Sequence, residues 1–128
     1  MILYIDTSDF NALKLVIVDG PTVKIFEASI AFNENYKTNE LLQKFLKREK
    51  TKLNDFEKII VCTGPGSFTG LRVGVSLAQA LGFGLRIPVI AIPKNKVPTD
   101  IRKLPNVRGG KNLVMNYGQK PNITKSKK

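Results

Sequence analysis

No histidine occurs in these 128 residues. That removes the usual neutral-pH general base and the commonest transition-metal ligand. One cysteine and only ten acids accompany that gap, so no transition-metal ligand set is visible. A lone Cys62 also excludes an intrachain disulfide, and a reducing compartment is the default. Cys62 closes a strand-like run and reads as buried packing. A reactive thiol is the minor reading, since no histidine can activate it. Long hydrophobic runs are missing too. The stretch Leu71 to Leu85 holds Arg72, Ser76 and Gln79 and is too short and polar to cross a membrane. The start Met-Ile-Leu-Tyr-Ile-Asp has no basic n-region, so no signal peptide is expected and a cytoplasmic protein is.

Acids are nearly absent from the last part of the chain. Through Pro93, eleven Lys and Arg face nine Asp and Glu; from Lys94 onward, ten face Asp100 alone. The net charge of +11 therefore divides into +2 and +9. A basic end of this kind reads either as nucleic-acid contact through phosphate neutralisation or as a solubilising, irregular tail. Tyr117 is its one stacking aromatic, which tilts the balance to the second reading. The expected organisation is one folded lobe over residues 1–93 and a basic, Pro/Gly-containing tail over 94–128 that is largely irregular.

What is present reads in order. Ile2 to Ile5, Leu13 to Val18 and Val23 to Ile30 are three β-favouring runs, the last two separated by Asp19-Gly20-Pro21, a strong turn signal. Thr38 is placed to cap a helix running to Lys50. Its Leu41, Leu42, Phe45 and Leu46 lie on one stripe, with Lys44, Lys47, Arg48 and Lys50 opposite. Ile59-Ile60-Val61 is nearly all apolar and predicts a central strand. A glycine-rich stretch and a second helix follow, then a fifth strand over Val89 to Ile92. Leu113-Val114-Met115 could add one more. The order β-β-β-α-β-α-β predicts an α/β protein, a single ribonuclease-H-like lobe of the actin-like ATPase (ASKHA) kind with a mixed sheet. A flavodoxin-like sheet would need a helix between the first two strands, and the turn-linked runs leave no room for one.

The stretch from Thr63 to Gly74 packs Gly64, Gly66, Gly70 and Gly74 around Pro65, between strand and helix. Such a turn delivers backbone N–H groups at a helix start, where anions are favoured. It is no Walker A loop, lacking Gly-Lys-Ser/Thr, and its glycine spacing fails the dinucleotide fingerprint. Ser67 has no base to activate it and sits outside a nucleophile elbow. A helix cap or a hydroxyl ligand suits it better. Asp6-Thr7-Ser8 reads two ways: a carboxylate that orients metal-bound water, or an Asx turn. In the second helix, Gly70, Gly74, Ala78 and Gly82 form a small-residue stripe beside Val73, Leu77, Leu81 and Leu85. That stripe lets a backbone approach closely, either the protein's own sheet or another subunit.

Ile2-Leu3-Tyr4-Ile5-Asp6-Thr7-Ser8, followed by Gly64-Pro65-Gly66-Ser67-Phe68-Thr69-Gly70-Leu71-Arg72-Val73-Gly74, resembles the TsaB (YeaZ) family of tRNA threonylcarbamoyladenosine biosynthesis proteins. The resemblance covers about Met1 to Pro93, roughly the N-terminal half of that fold. It implies a subunit without its own catalysis, related to the catalytic TsaD but lacking TsaD's His-x-x-x-His. Pro93-Lys94-Asn95-Lys96-Val97 stands in that place. It implies docking on a TsaD-like subunit, or on a second copy, through the two helices, with a TsaE-like ATPase joining the pair. The implied interface is Leu41, Leu42, Phe45, Arg72, Val73, Gly74, Leu77, Ala78 and Leu81. The implied glycine-loop site, for a partner or as a vestigial phosphate site, is Asp6, Thr7, Ser8, Gly64, Pro65, Gly66, Ser67, Phe68, Thr69 and Gly70. No catalytic residue and no metal are expected. ATP with Mg²⁺ is expected only in the complex, because half of an actin-like cleft is lacking. Asn116 to Ile123 resembles the C-terminal end of the family's chains, so the expectation is an internal deletion of the second lobe. Against this stand two other readings: a small nucleotide-binding phosphatase or glycopeptidase-like protein, and tRNA binding through the basic tail.

Overall fold

The computed structural model describes residues 1–9, 12–30, 34, 37–66, 68–106 and 111–112. Strands β1 (Ile2–Asp6), β2 (Ala12–Asp19) and β3 (Thr22–Ser29) form an antiparallel meander. Its second turn has only Gly20 and Pro21 between the paired Asp19 and Thr22. Gly20 takes φ +59° at the first corner, a conformation that hairpin turns need and that glycine adopts without cost. Helix α1 (Lys37–Arg48) leads to β4 (Lys58–Cys62), and α2 (Phe68–Leu85) leads to β5 (Val89–Ile92). A two-residue β6 (Lys111–Asn112) pairs antiparallel with β5. The sheet order is β3-β2-β1-β4-β5-β6, with β1, β4 and β5 mutually parallel. The expected fold is therefore the one observed, with a short sixth strand added at one edge. Leu113-Val114-Met115 lies outside the described residues.

Alternation along the strands divides the core in two. Leu3 and Ile5, with Leu13, Leu15, Ile17, Ile59 and Val61, meet the helices through Leu42, Phe45, Leu46 and Ala78. Ile2, Tyr4, Val16, Val18, Ile60, Cys62 and Ile92 form the opposite face. Strand β1 is thus buried on both sides, as a central strand flanked by parallel and antiparallel neighbours must be. Phe26 and Phe45 stack with centroids 5.4 Å apart, and the Arg48 guanidinium lies over both rings. Arg48 also donates to the Ile25 carbonyl at 3.0 Å. This one member of the cationic stripe is therefore held against the sheet.

One expectation needs correction. Thr38 is not the cap of α1: the helix already includes Lys37, whose N–H donates to the Glu34 carbonyl at 2.9 Å. Thr38 sits one position inside and is buried. Residues Lys94–Lys96 and Ile101–Asn106 form 3₁₀ turns. Leu104 is fully buried on the second sheet face, with Val97 and Ile101 packed beside it. A few apolar side chains spaced among lysines suffice to cover that face.

Candidate functional site

Parallel pairing of β1 and β4 brings their C-terminal ends together, so the turn after Asp6 faces the loop after Cys62. The Asp6 carboxylate is fully engaged within its own turn. Its Oδ1 accepts from the Ser8 N–H at 2.9 Å and the Ser8 hydroxyl at 2.6 Å, and its Oδ2 accepts from the Tyr4 hydroxyl at 3.0 Å. This is an Asx turn, the second of the two readings of Asp6-Thr7-Ser8. Burial raises the Tyr4 pKa well above the ordinary tyrosine range, and the neighbouring Asp6 and Cys62 push it the same way. The hydroxyl therefore stays protonated and serves as a fixed donor to Asp6.

The glycine loop packs against that turn with no slack. A Cβ on Gly66 would lie 2.1 Å from the Ser8 carbonyl oxygen. On Gly74 it would lie 2.3 Å from the Thr7 hydroxyl oxygen. That hydroxyl in turn donates to the Gly70 carbonyl. Gly64 adopts φ +92° ahead of a cis bond to Pro65, and its carbonyl accepts from the Lys94 N–H at 2.7 Å. Gly70, Gly74 and the first turn of α2, formed by the backbone of Phe68 and Thr69, are thereby fixed on β1's turn. Ser67 lies outside the described residues. Of the small-residue stripe, Gly74, Ala78 and Gly82 are buried and Gly70 is half-buried; Gly74 lies against Thr7, and Ala78 belongs to the helix-facing core.

The helix interface expected from the sequence mostly faces inward. Leu42, Phe45 and Ala78 are fully buried, and Leu41, Leu77 and Leu81 pack partly buried on the same core. An amphipathic stripe is equally what a sheet requires of its covering helix, and here the sheet takes it. Val73 is half-buried, and Arg72 alone of that set is exposed. The outward face of α2 is instead Arg72, Ser76, Ala80, Phe83 and Gly84. Phe83 is 58% exposed. Its spacing of three, seven and eleven residues from Ala80, Ser76 and Arg72, which puts it on their side of the helix, was the available signal for an outward position.

A cavity of about 550 Å³ opens on the second sheet face, lined by Tyr4, Asp6, Lys14, Glu27, Lys94 and Val97 among others. Asp6 is the one expected site residue that lines it. Lys14 and Glu27 were missed because their meeting depends on register: Asp6 pairs with Lys14, and Lys14 with Glu27, across three strands. At its rim the Lys94 ammonium meets the Asp9 carboxylate at 2.8 Å. That hydrogen bond raises the lysine's pKa, against a smaller opposing effect of desolvation.

Comparison with known proteins adds four matches. A family model described as "TsaD: tRNA N6-adenosine threonylcarbamoyltransferase" matches residues 28–105. The tRNA threonylcarbamoyladenosine biosynthesis protein TsaB of Bacillus subtilis is 31% identical over 91 residues, covering 71% of this chain and 40% of that one. TsaB of Escherichia coli is likewise 31% identical, covering 71% and 39%. The solved structure of YeaZ from Pseudomonas aeruginosa superposes with a TM-score of 0.68 at 24% identity, over 75% of this chain and 45% of that one, and shares its fold. This chain spans about two fifths of the length of the curated relatives it matches.

Proposed function

We propose that this chain, which belongs to the TsaD family and matches TsaB (YeaZ) proteins over about two fifths of their length, is a non-catalytic partner subunit in tRNA N6-threonylcarbamoyladenosine modification. It docks a TsaD-like catalytic subunit and supports that subunit's action on the adenosine beside the anticodon. One observation carries the reading. The glycine loop, the most distinctive stretch of the chain, is closed onto the Thr7–Ser8 turn. A loop filled by its own fold sets the position of α2 rather than cradling a phosphate. What α2 then presents outward is Phe83, with Ala80 and Gly84 beside it. An exposed aromatic flanked by small residues is the composition of an interface anchor.

No helix among the described residues is long and apolar enough to cross a membrane. The same reading puts the protein in the cytoplasm, with its tRNA substrate's enzyme. The test is co-purification. Tagged chain and TsaD mixed at micromolar concentration should elute together. Phe83→Asp should separate them while the far-UV circular dichroism melt stays unchanged. Separate elution of the unmodified pair would overturn the proposal.

A further inference from the structure

We propose that one ordered water molecule is an integral part of this fold, at the junction of α1, the turn after β1, and α2. A small, partly open pocket of about 20 Å³ lies there. Thr7, Asp9, Thr38 and Gly70 give it polar atoms, and Ile30 and Val73 form its apolar wall. A water needs roughly 10–15 Å³ of such space and two to four polar partners, so the pocket fits one water.

The second observation is independent of the volume. Thr38 is 3% exposed, and its Oγ1 has no hydrogen-bond partner among the described residues. A threonine inside a helix usually bonds back to the carbonyl four residues earlier. For Thr38 that residue is Glu34, which precedes the helix and whose carbonyl receives the Lys37 N–H. Buried hydroxyls are almost always paired, with protein or with ordered water. A water here accepts the Thr38 proton and donates to oxygens among Thr7, Asp9 and Gly70. It thereby joins the first turns of both helices to the turn that carries Asp6.

Two measurements test this. A high-resolution crystal structure should show a water peak within hydrogen-bond distance of Thr38 Oγ1. In urea denaturation, Thr38→Val should lower the unfolding midpoint and lose the peak, while Thr38→Ser keeps both. The opposite sign is informative. If Thr38 is simply unpaired, Thr38→Val removes a buried polar group without loss, and the midpoint rises or stays put. Either result would sink the proposal, as would a metal-like peak with short oxygen contacts. Should Thr38→Val fail to fold, the unmodified crystal and the Thr38→Ser midpoint decide alone.

Discussion

Replacing Gly66 by alanine adds one methyl group where the fold has no room for it. Gly66 is not at positive φ, so backbone strain does not enter. On an open site the same change would stabilise by about 0.4–1 kcal/mol, through the unfolded chain. Here the new Cβ would stand 2.1 Å from the Ser8 carbonyl oxygen, 2.8 Å from its carbon and 2.9 Å from its Cα. All three are backbone atoms, and none can rotate away. To restore contact distance, the Thr7–Ser8 turn must move by more than an ångström. That motion pulls on the bonds from Ser8 to Asp6 and from Thr7 to Gly70. Overpacking of a tight site costs about 1–3 kcal/mol, and each disturbed hydrogen bond about 1 more. The net expectation is a loss of roughly 2–3 kcal/mol. With a urea m-value of about 1.5 kcal/mol/M, the midpoint should fall by roughly 1.5 M. Gly84→Ala is the matched control, since a Cβ there meets nothing within 4 Å and lies in a helix. It should raise stability by about 0.5–1 kcal/mol. Equal midpoints for Gly66→Ala and the unmodified protein would refute the packing of loop on turn.

Three further outcomes follow from particular contacts. Phe45→Ala removes a fully buried ring stacked on Phe26 and covered by Arg48, and should cost about 3–5 kcal/mol in the same assay. Glu49 is held below the usual glutamate value of 4.5, first by its hydrogen bond from Arg48 and then by Lys24. Its contribution is present above that value and lost as pH falls through the lower folded value, so Glu49→Gln should flatten the stability–pH slope below about pH 4.5. An unchanged slope would show that Arg48 and Glu49 do not stay together in solution. Asp6→Asn keeps one acceptor but must turn its amide toward either Tyr4 or Ser8. A modest stability loss with no change in TsaD co-elution is expected, and loss of co-elution would mean that the turn itself touches the partner.

The strands were legible because alternating and all-apolar runs leave few alternatives to a buried sheet. Asp6-Thr7-Ser8 was legible as a turn, and Gly20-Pro21 as a tight hairpin, because each depends on local backbone chemistry alone. The helix faces were not. Leu42, Phe45 and Ala78 carry the pattern of a covering helix, and a pattern does not say whether the covered surface is internal. The meeting of Asp6, Lys14 and Glu27 was hidden for a different reason: it exists only once three strands are in register. Leu104 was obscured by its basic neighbours, although its burial closes the second face.

The order of the sheet also sets a timetable for synthesis. β1 is made first, yet its parallel neighbour β4 ends at Cys62. The meander β1-β2-β3 can form as soon as it leaves the ribosome, since its contacts are local. At roughly 5–20 residues per second, the inner edge of β1 then waits several seconds for β4 to arrive. During that interval Ile2 to Ile5 form an apolar strand with one edge still unpaired. The nascent chain is most exposed to misassociation then, before the glycine loop has been translated.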